Sequence, residues 1–102
     1  MACRLARGVL AALLLLAPLR LPAEASGRGF GLAAACFGCH GTDGVSRGAI
    51  PSLAGRSERF LLLALGEYRS GASSGTVMNR IARGYSDEEL ARLAAWFAGR
   101  RE

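Results

Sequence analysis

Lysine is missing from this sequence: all 13 basic side chains are arginine, set against 8 acidic ones in 102 residues. No basic run is interleaved with aromatics, so the arginines do not describe a nucleic-acid surface. They predict a surface of mixed charge, suited to weak docking. Histidine occurs once, as His40, and methionine once beyond the initiator, as Met78. β-branched and polar residues never alternate over the length of a strand, which excludes a sheet and leaves an all-α fold. No acid, base and nucleophile are grouped for substrate chemistry. Long apolar runs are absent too, since the stretch from Val9 to Ala17 is too short to span a bilayer.

What is present is concentrated in Cys36-Phe37-Gly38-Cys39-His40, a C-x-x-C-H pentad and the attachment pattern of a c-type haem. Two thiols three positions apart can each add to one vinyl group of a single porphyrin, which makes Cys36 and Cys39 the expected thioether sites. The histidine directly after them then lies beneath the iron as proximal ligand. A His/Met iron, the ligation that raises the potential of cytochromes c, can be built in one way only, so Met78 is the predicted distal ligand. The expected cofactor is one covalent haem c, and the expected work is electron transfer. A zinc site would need four ligands where three cluster. A thioredoxin-like C-x-x-C would need a strand before it and a parallel sheet around it. A catalytic haem would require an open iron position, against which Met78 argues.

Residues 1–25 read as a secretory signal, cleaved after Ala25. Arg4 and Arg7 make a basic start, Val9 to Ala17 an apolar run, and Ala23-Glu24-Ala25 a small-residue cleavage site. Pro18, Arg20 and Pro22 break the chain immediately after the apolar run, so a retained anchor is the weaker alternative and no stable membrane span is expected after cleavage. Cys3 precedes the apolar run and goes with the leader. The signal predicts a periplasmic protein whose mature domain is 26–102. The leader holds three arginines and one acid, so the mature part carries ten basic and seven acidic side chains, a net charge of +3. An apolar core alone stabilises 77 residues marginally. A porphyrin at the centre would supply the missing apolar layer.

Along the mature chain the spacing predicts a first short helix from about Arg28 to the pentad, a loop over 41–48 and an extended segment fixed by Pro51. A second helix runs from a Ser57 cap to about Ser70 and stops at Gly71. Its stripe is Leu61, Ala64, Leu65 and Tyr68. Phe60, Leu62 and Leu63 widen the stripe, either because the haem region absorbs the whole surface or because part of it is a docking face. A polar loop, 71–75, leads to Met78 at the start of a short helical stretch ending at Gly84. The last helix opens on a Ser86/Glu89 capping box and buries Leu90, Leu93, Ala94 and Phe97, with Trp96 at the edge and Glu88 paired to Arg92.

The stretches HGTDGVSRGAIPSLAG and YRSGASSGTVMNRIARGYSDEELARLAAWFAG resemble the haem domain in the cytochrome subunit of flavocytochrome c sulfide dehydrogenase, within the small class I cytochromes c. The M-x-R-I-A-x-G-Y-S run from Met78 to Ser86 carries most of that likeness, which extends over 33–99. The resemblance implies a class I cytochrome c fold with three to four helices around one haem. It implies electron transfer from a flavoprotein (FAD) subunit that oxidises sulfide. It also implies that the carbonyl of Pro51 orients the proximal imidazole; otherwise Pro51 stiffens the loop. Some members of the family carry two haem domains, and this sequence has ligands for one. The alternative is a free, diffusible carrier between a respiratory or photosynthetic complex and an oxidase or reaction centre.

Overall fold

Helices and turns account for all the regular structure among residues 23–101, which are those described by the computed structural model. Most of the expected leader, with Cys3, lies outside them. In chain order the elements are α1 (Ala23–Ala33), a 3-10 turn (Ala34–Cys36), α2 (Phe37–His40), a second 3-10 turn (Thr42–Gly44), α3 (Glu58–Ser70), α4 (Met78–Ala82) and α5 (Asp87–Ala98). The fold is all-α, as expected, with the first helix divided: α1 passes through the 3-10 turn into α2 and ends at His40. It also begins five residues earlier than its apolar spacing suggested, so Ala23-Glu24-Ala25 forms its first residues.

The helix ends obey local chemistry. The Ser57 hydroxyl accepts from the Phe60 amide at 3.1 Å, relieving one of the free donors at the start of α3. At the other end Gly71 turns left-handed, with φ 85°, and closes the helix. In α5 the Glu89 amide donates to the Ser86 hydroxyl at 3.2 Å, while the Ser86 amide donates to the Glu89 carboxylate at 3.1 Å. The capping box is complete.

The core is built on α5. Leu90, Leu93, Ala94, Trp96 and Phe97 pack with Ala33 of α1 and Leu61 of α3. Burying a leucine of this kind contributes roughly 1.5–3 kcal/mol. α1 crosses α5 so closely that a Cβ at Gly29 would stand 2.9 Å from the Trp96 ring. The aromatic rings of Phe30, Phe37, Trp96 and Phe97 cluster where α1, α2 and α5 meet. Trp96 is thus buried in packing and not at the edge of the helix face.

Arg69 joins α3 to the start of α5 by donating to the Tyr85 carbonyl at 3.2 Å and pairing with Asp87. The ion pair found among the described residues is this one; Glu88 and Arg92 are not paired. The arginine that also satisfies a carbonyl makes a tie between elements, whereas an exposed i, i+4 pair would contribute only about a few tenths of a kcal/mol. On α3, Leu62 and Leu63 remain exposed and point away from the central cavity, so the interior does not absorb the whole apolar surface of that helix.

Candidate functional site

The 3-10 turn, through Cys36, and α2, through Cys39 and His40, bring these residues to one wall of a cavity of about 670 Å³. The segment around Pro51, the inner face of α3, the start of α4 and the inner face of α5 complete it. Met78 opens onto the same cavity, with Leu61, Leu65, Leu93 and Phe97 among the apolar residues between. All four residues singled out as iron and thioether positions therefore face one space.

Among the described residues the two thiols are not bonded to each other: Cys36 is half-buried and Cys39 exposed. Burial, and to a smaller extent the neighbouring Cys39, pushes the Cys36 thiol up. His40 is 8% exposed, and its Nδ1 lies 2.6 Å from the carbonyl oxygen of Pro51. A carbonyl can only accept, so Nδ1 carries a proton; in the neutral imidazole this leaves the lone pair on Nε2, the form that binds a metal. The loop presenting Pro51 is held by its own backbone. Leu53 and Ala54 donate to the Gly44 carbonyl at 2.8 and 3.1 Å, and Gly55 donates to Phe97 at 3.1 Å.

Gly41, directly after His40, has φ 86°, and a Cβ there would stand 1.9 Å from the Val45 carbonyl oxygen. The tight turn is what lets the chain leave α2 and come back under the imidazole. Met78 is half-buried as the first residue of α4. The loop before it is fastened by the side chain of Asn79, a residue that its position in the sequence did not single out. Tyr85 was likewise missed. It lines the cavity, and burial first, then Cys36 and Glu89, pushes its phenol up.

The donor set fits a covalently attached haem: two free thiols, an imidazole with its Nε2 lone pair available, a thioether, and apolar walls between them. The volume is in the range of cofactor pockets. At the mouth, Ile50, Phe60, Val77 and Ile81 are exposed apolar residues that also line the cavity. Among the described residues no helix is long and apolar enough to cross a membrane.

A family model for cytochrome c matches residues 25–99. Among curated proteins, the cytochrome subunit of sulfide dehydrogenase of Chlorobaculum tepidum is 44% identical over 70 residues, 69% of this chain and 64% of that protein. Cytochrome c-554(548) of Halomonas halodenitrificans is 39% identical over 67 residues, 62% of this chain and 81% of the relative. Cytochrome c4 of Pseudomonas aeruginosa is 39% identical over 70 residues, 68% of this chain and 35% of the relative. The first and third of these relatives thus extend well beyond the part this chain matches. Taken with a helical fold closed around a cavity on which the C-x-x-C-H pentad opens, the match places this chain in the cytochrome c family, as an electron-transfer protein that carries covalently bound haem c.

Proposed function

We propose that this protein is the periplasmic cytochrome subunit of a sulfide dehydrogenase, accepting electrons from a flavin-containing subunit that carries out the sulfide chemistry. The observation that carries the redox site is the opening of Cys36, Cys39, His40 and Met78 onto a single apolar cavity. The partner is supported by the 44% identity to a protein named as such a subunit. Cleavage after Ala25 would remove the first three residues of α1 and leave 26–102 as the mature domain.

In this reading Cys36 and Cys39 hold the haem through two thioethers, His40 is the proximal ligand through Nε2 and Met78 the distal ligand through its sulfur. The haem supplies the one-electron couple between ferric and ferrous iron. The Pro51 carbonyl fixes the imidazole tautomer and raises its basicity. Leu61, Leu65, Leu93 and Phe97 keep water from the cavity. Ile50, Val77 and Ile81 form an apolar rim at its mouth, where a redox partner would sit.

A free carrier is the second reading, favoured by relatives whose names carry no enzyme, such as cytochrome c4. Gentle purification of the tagged protein from its own periplasm, with absorption spectra before and after sulfide, separates the two. Co-purifying flavin with sulfide-dependent haem reduction is the expected result. Haem alone, unreduced by sulfide, would replace the subunit with the carrier.

A further inference from the structure

The segment from Gly71 to Val77 is rich in glycine and serine and forms no helix of its own, yet it delivers Met78 to the cavity. Its first half is tied to the end of α3: the Ser73 amide donates to the Glu67 carbonyl at 3.2 Å, and the Ser73 hydroxyl donates to the Glu67 carboxylate at 2.8 Å. Its second half is tied by one side chain. The Asn79 carboxamide donates to the Tyr68 carbonyl at 2.9 Å and to the Ser73 carbonyl at 2.7 Å, while its oxygen accepts from the Gly75 amide at 2.7 Å. This orientation is the one that pairs donors with acceptors, since the reverse would set an oxygen against two carbonyls and an NH₂ against an N–H. Gly75 is meanwhile packed on the Tyr68 ring, with room for a Cβ only 3.0 Å from it.

We infer that Asn79 is a positioning residue that holds the Met78 loop closed, and so sets how often the thioether leaves the iron. The inference rests on the reading of Met78 as distal ligand. Three hydrogen bonds converge on the residue next to that ligand, and they bridge the end of α3, the middle of the loop and the turn before Val77. Losing them frees a glycine- and serine-rich segment whose disorder is entropically favoured. With no lysine and no second histidine in the sequence, an imidazole or amine side chain is not at hand to take the vacated position. A small ligand added from outside therefore reports the opening directly, because its apparent affinity scales with the fraction of open loop.

The test is a titration of the ferric haem protein with imidazole, on the full chain and on Asn79→Ala, Asn79→Asp and Met78→Ala. Loss of two or three hydrogen bonds predicts roughly tenfold tighter imidazole binding for both Asn79 variants, with a weaker red charge-transfer band of the ferric thioether haem. Met78→Ala should bind tighter still. Ser86→Ala, which removes the α5 cap, should lower the unfolding midpoint without changing imidazole affinity, so a general loss of stability does not mimic the effect. Wild-type affinity in the Asn79 variants, together with much tighter binding in Met78→Ala, would overturn the role of Asn79 and leave the ligand intact. Unchanged binding in Met78→Ala would remove the ligand assignment and this inference with it. Hydrogen exchange at the Gly75 amide of the wild-type protein needs no variant: protection supports the clamp, and exchange at the rate of open loop refutes it.

Discussion

His40 donates its Nδ1 proton to the carbonyl of Pro51 across 2.6 Å, joining α2 to a loop eleven residues downstream. That single bond connects the electronic character of the imidazole to the shape of a segment with no helix or strand to stiffen it. Pro51 supplies the stiffness through its fixed φ.

Pro51→Ala keeps the carbonyl but loosens the backbone behind it. The greater freedom of the unfolded chain costs about 0.4–1 kcal/mol of stability. With His40 as the proposed iron ligand, a longer, weaker bond would make the imidazole a poorer donor to iron and favour the ferrous state. The reduction potential should rise, as spectroelectrochemical titration of the variant against wild type would measure; a lower potential would contradict the role of the carbonyl behind the imidazole.

Gly41→Ala is expected to be far more damaging than a one-methyl change usually is. The residue has φ 86°, and the added carbon would stand 1.9 Å from the Val45 oxygen. A left-handed alanine costs on the order of 1–3 kcal/mol and the collision a similar amount. Denaturant unfolding of the haem-loaded protein should show a loss of at least about 2 kcal/mol, and a loss under half that would mean the turn relaxes.

Without haem the chain should show no cooperative thermal transition. The cavity of about 670 Å³ is lined by core residues such as Leu61, Leu93 and Phe97, and leaving it unfilled strips packing from a core that is marginal at this length. Calorimetry of protein made without haem attachment tests this, and a sharp endotherm would be the contrary result.

Tyr85 should ionise later than an ordinary tyrosine, since burial foremost, with Cys36 and Glu89 adding to it, pushes its phenol up. Thioether formation removes the Cys36 contribution and leaves the other two. The folded state then holds a proton that the unfolded state releases, so stability declines as pH rises from the ordinary tyrosine value of about 10 toward the raised one. Ultraviolet difference titration should show a late component from one of the two tyrosines, and Tyr85→Phe should abolish it. A late component that survives the substitution would belong elsewhere.

Sequence and structure agree best where one side chain suffices to make the decision. Ser57, Gly71 and the Ser86/Glu89 box set their helix ends as hydroxyl, glycine and carboxylate chemistry require. That the pentad and Met78 would open onto one space was legible because a single histidine and a single internal methionine narrow the choice. The upstream start of α1 was not legible, because Ala23-Glu24-Ala25 reads as a cleavage site and Ser26-Gly27 as local punctuation, whereas α1 begins at Ala23. Asn79 was hidden for a different reason. Its three partners are separated from it by 4 to 11 residues and come together only once the loop has folded back on α3. The Arg69–Asp87 pair is also a tertiary contact, made between residues 18 positions apart, and local spacing does not show it.

Trp96, the sole tryptophan, lies 5.0 Å from the ring of Phe97, which itself lines the cavity, and the Arg100 guanidinium covers it at 4.3 Å. An indole one ring away from a porphyrin passes its excitation on before it can emit. The folded, haem-loaded molecule should consequently be dark in tryptophan fluorescence and brighten as the chain comes apart, which equips it with an internal optical gauge of its own integrity.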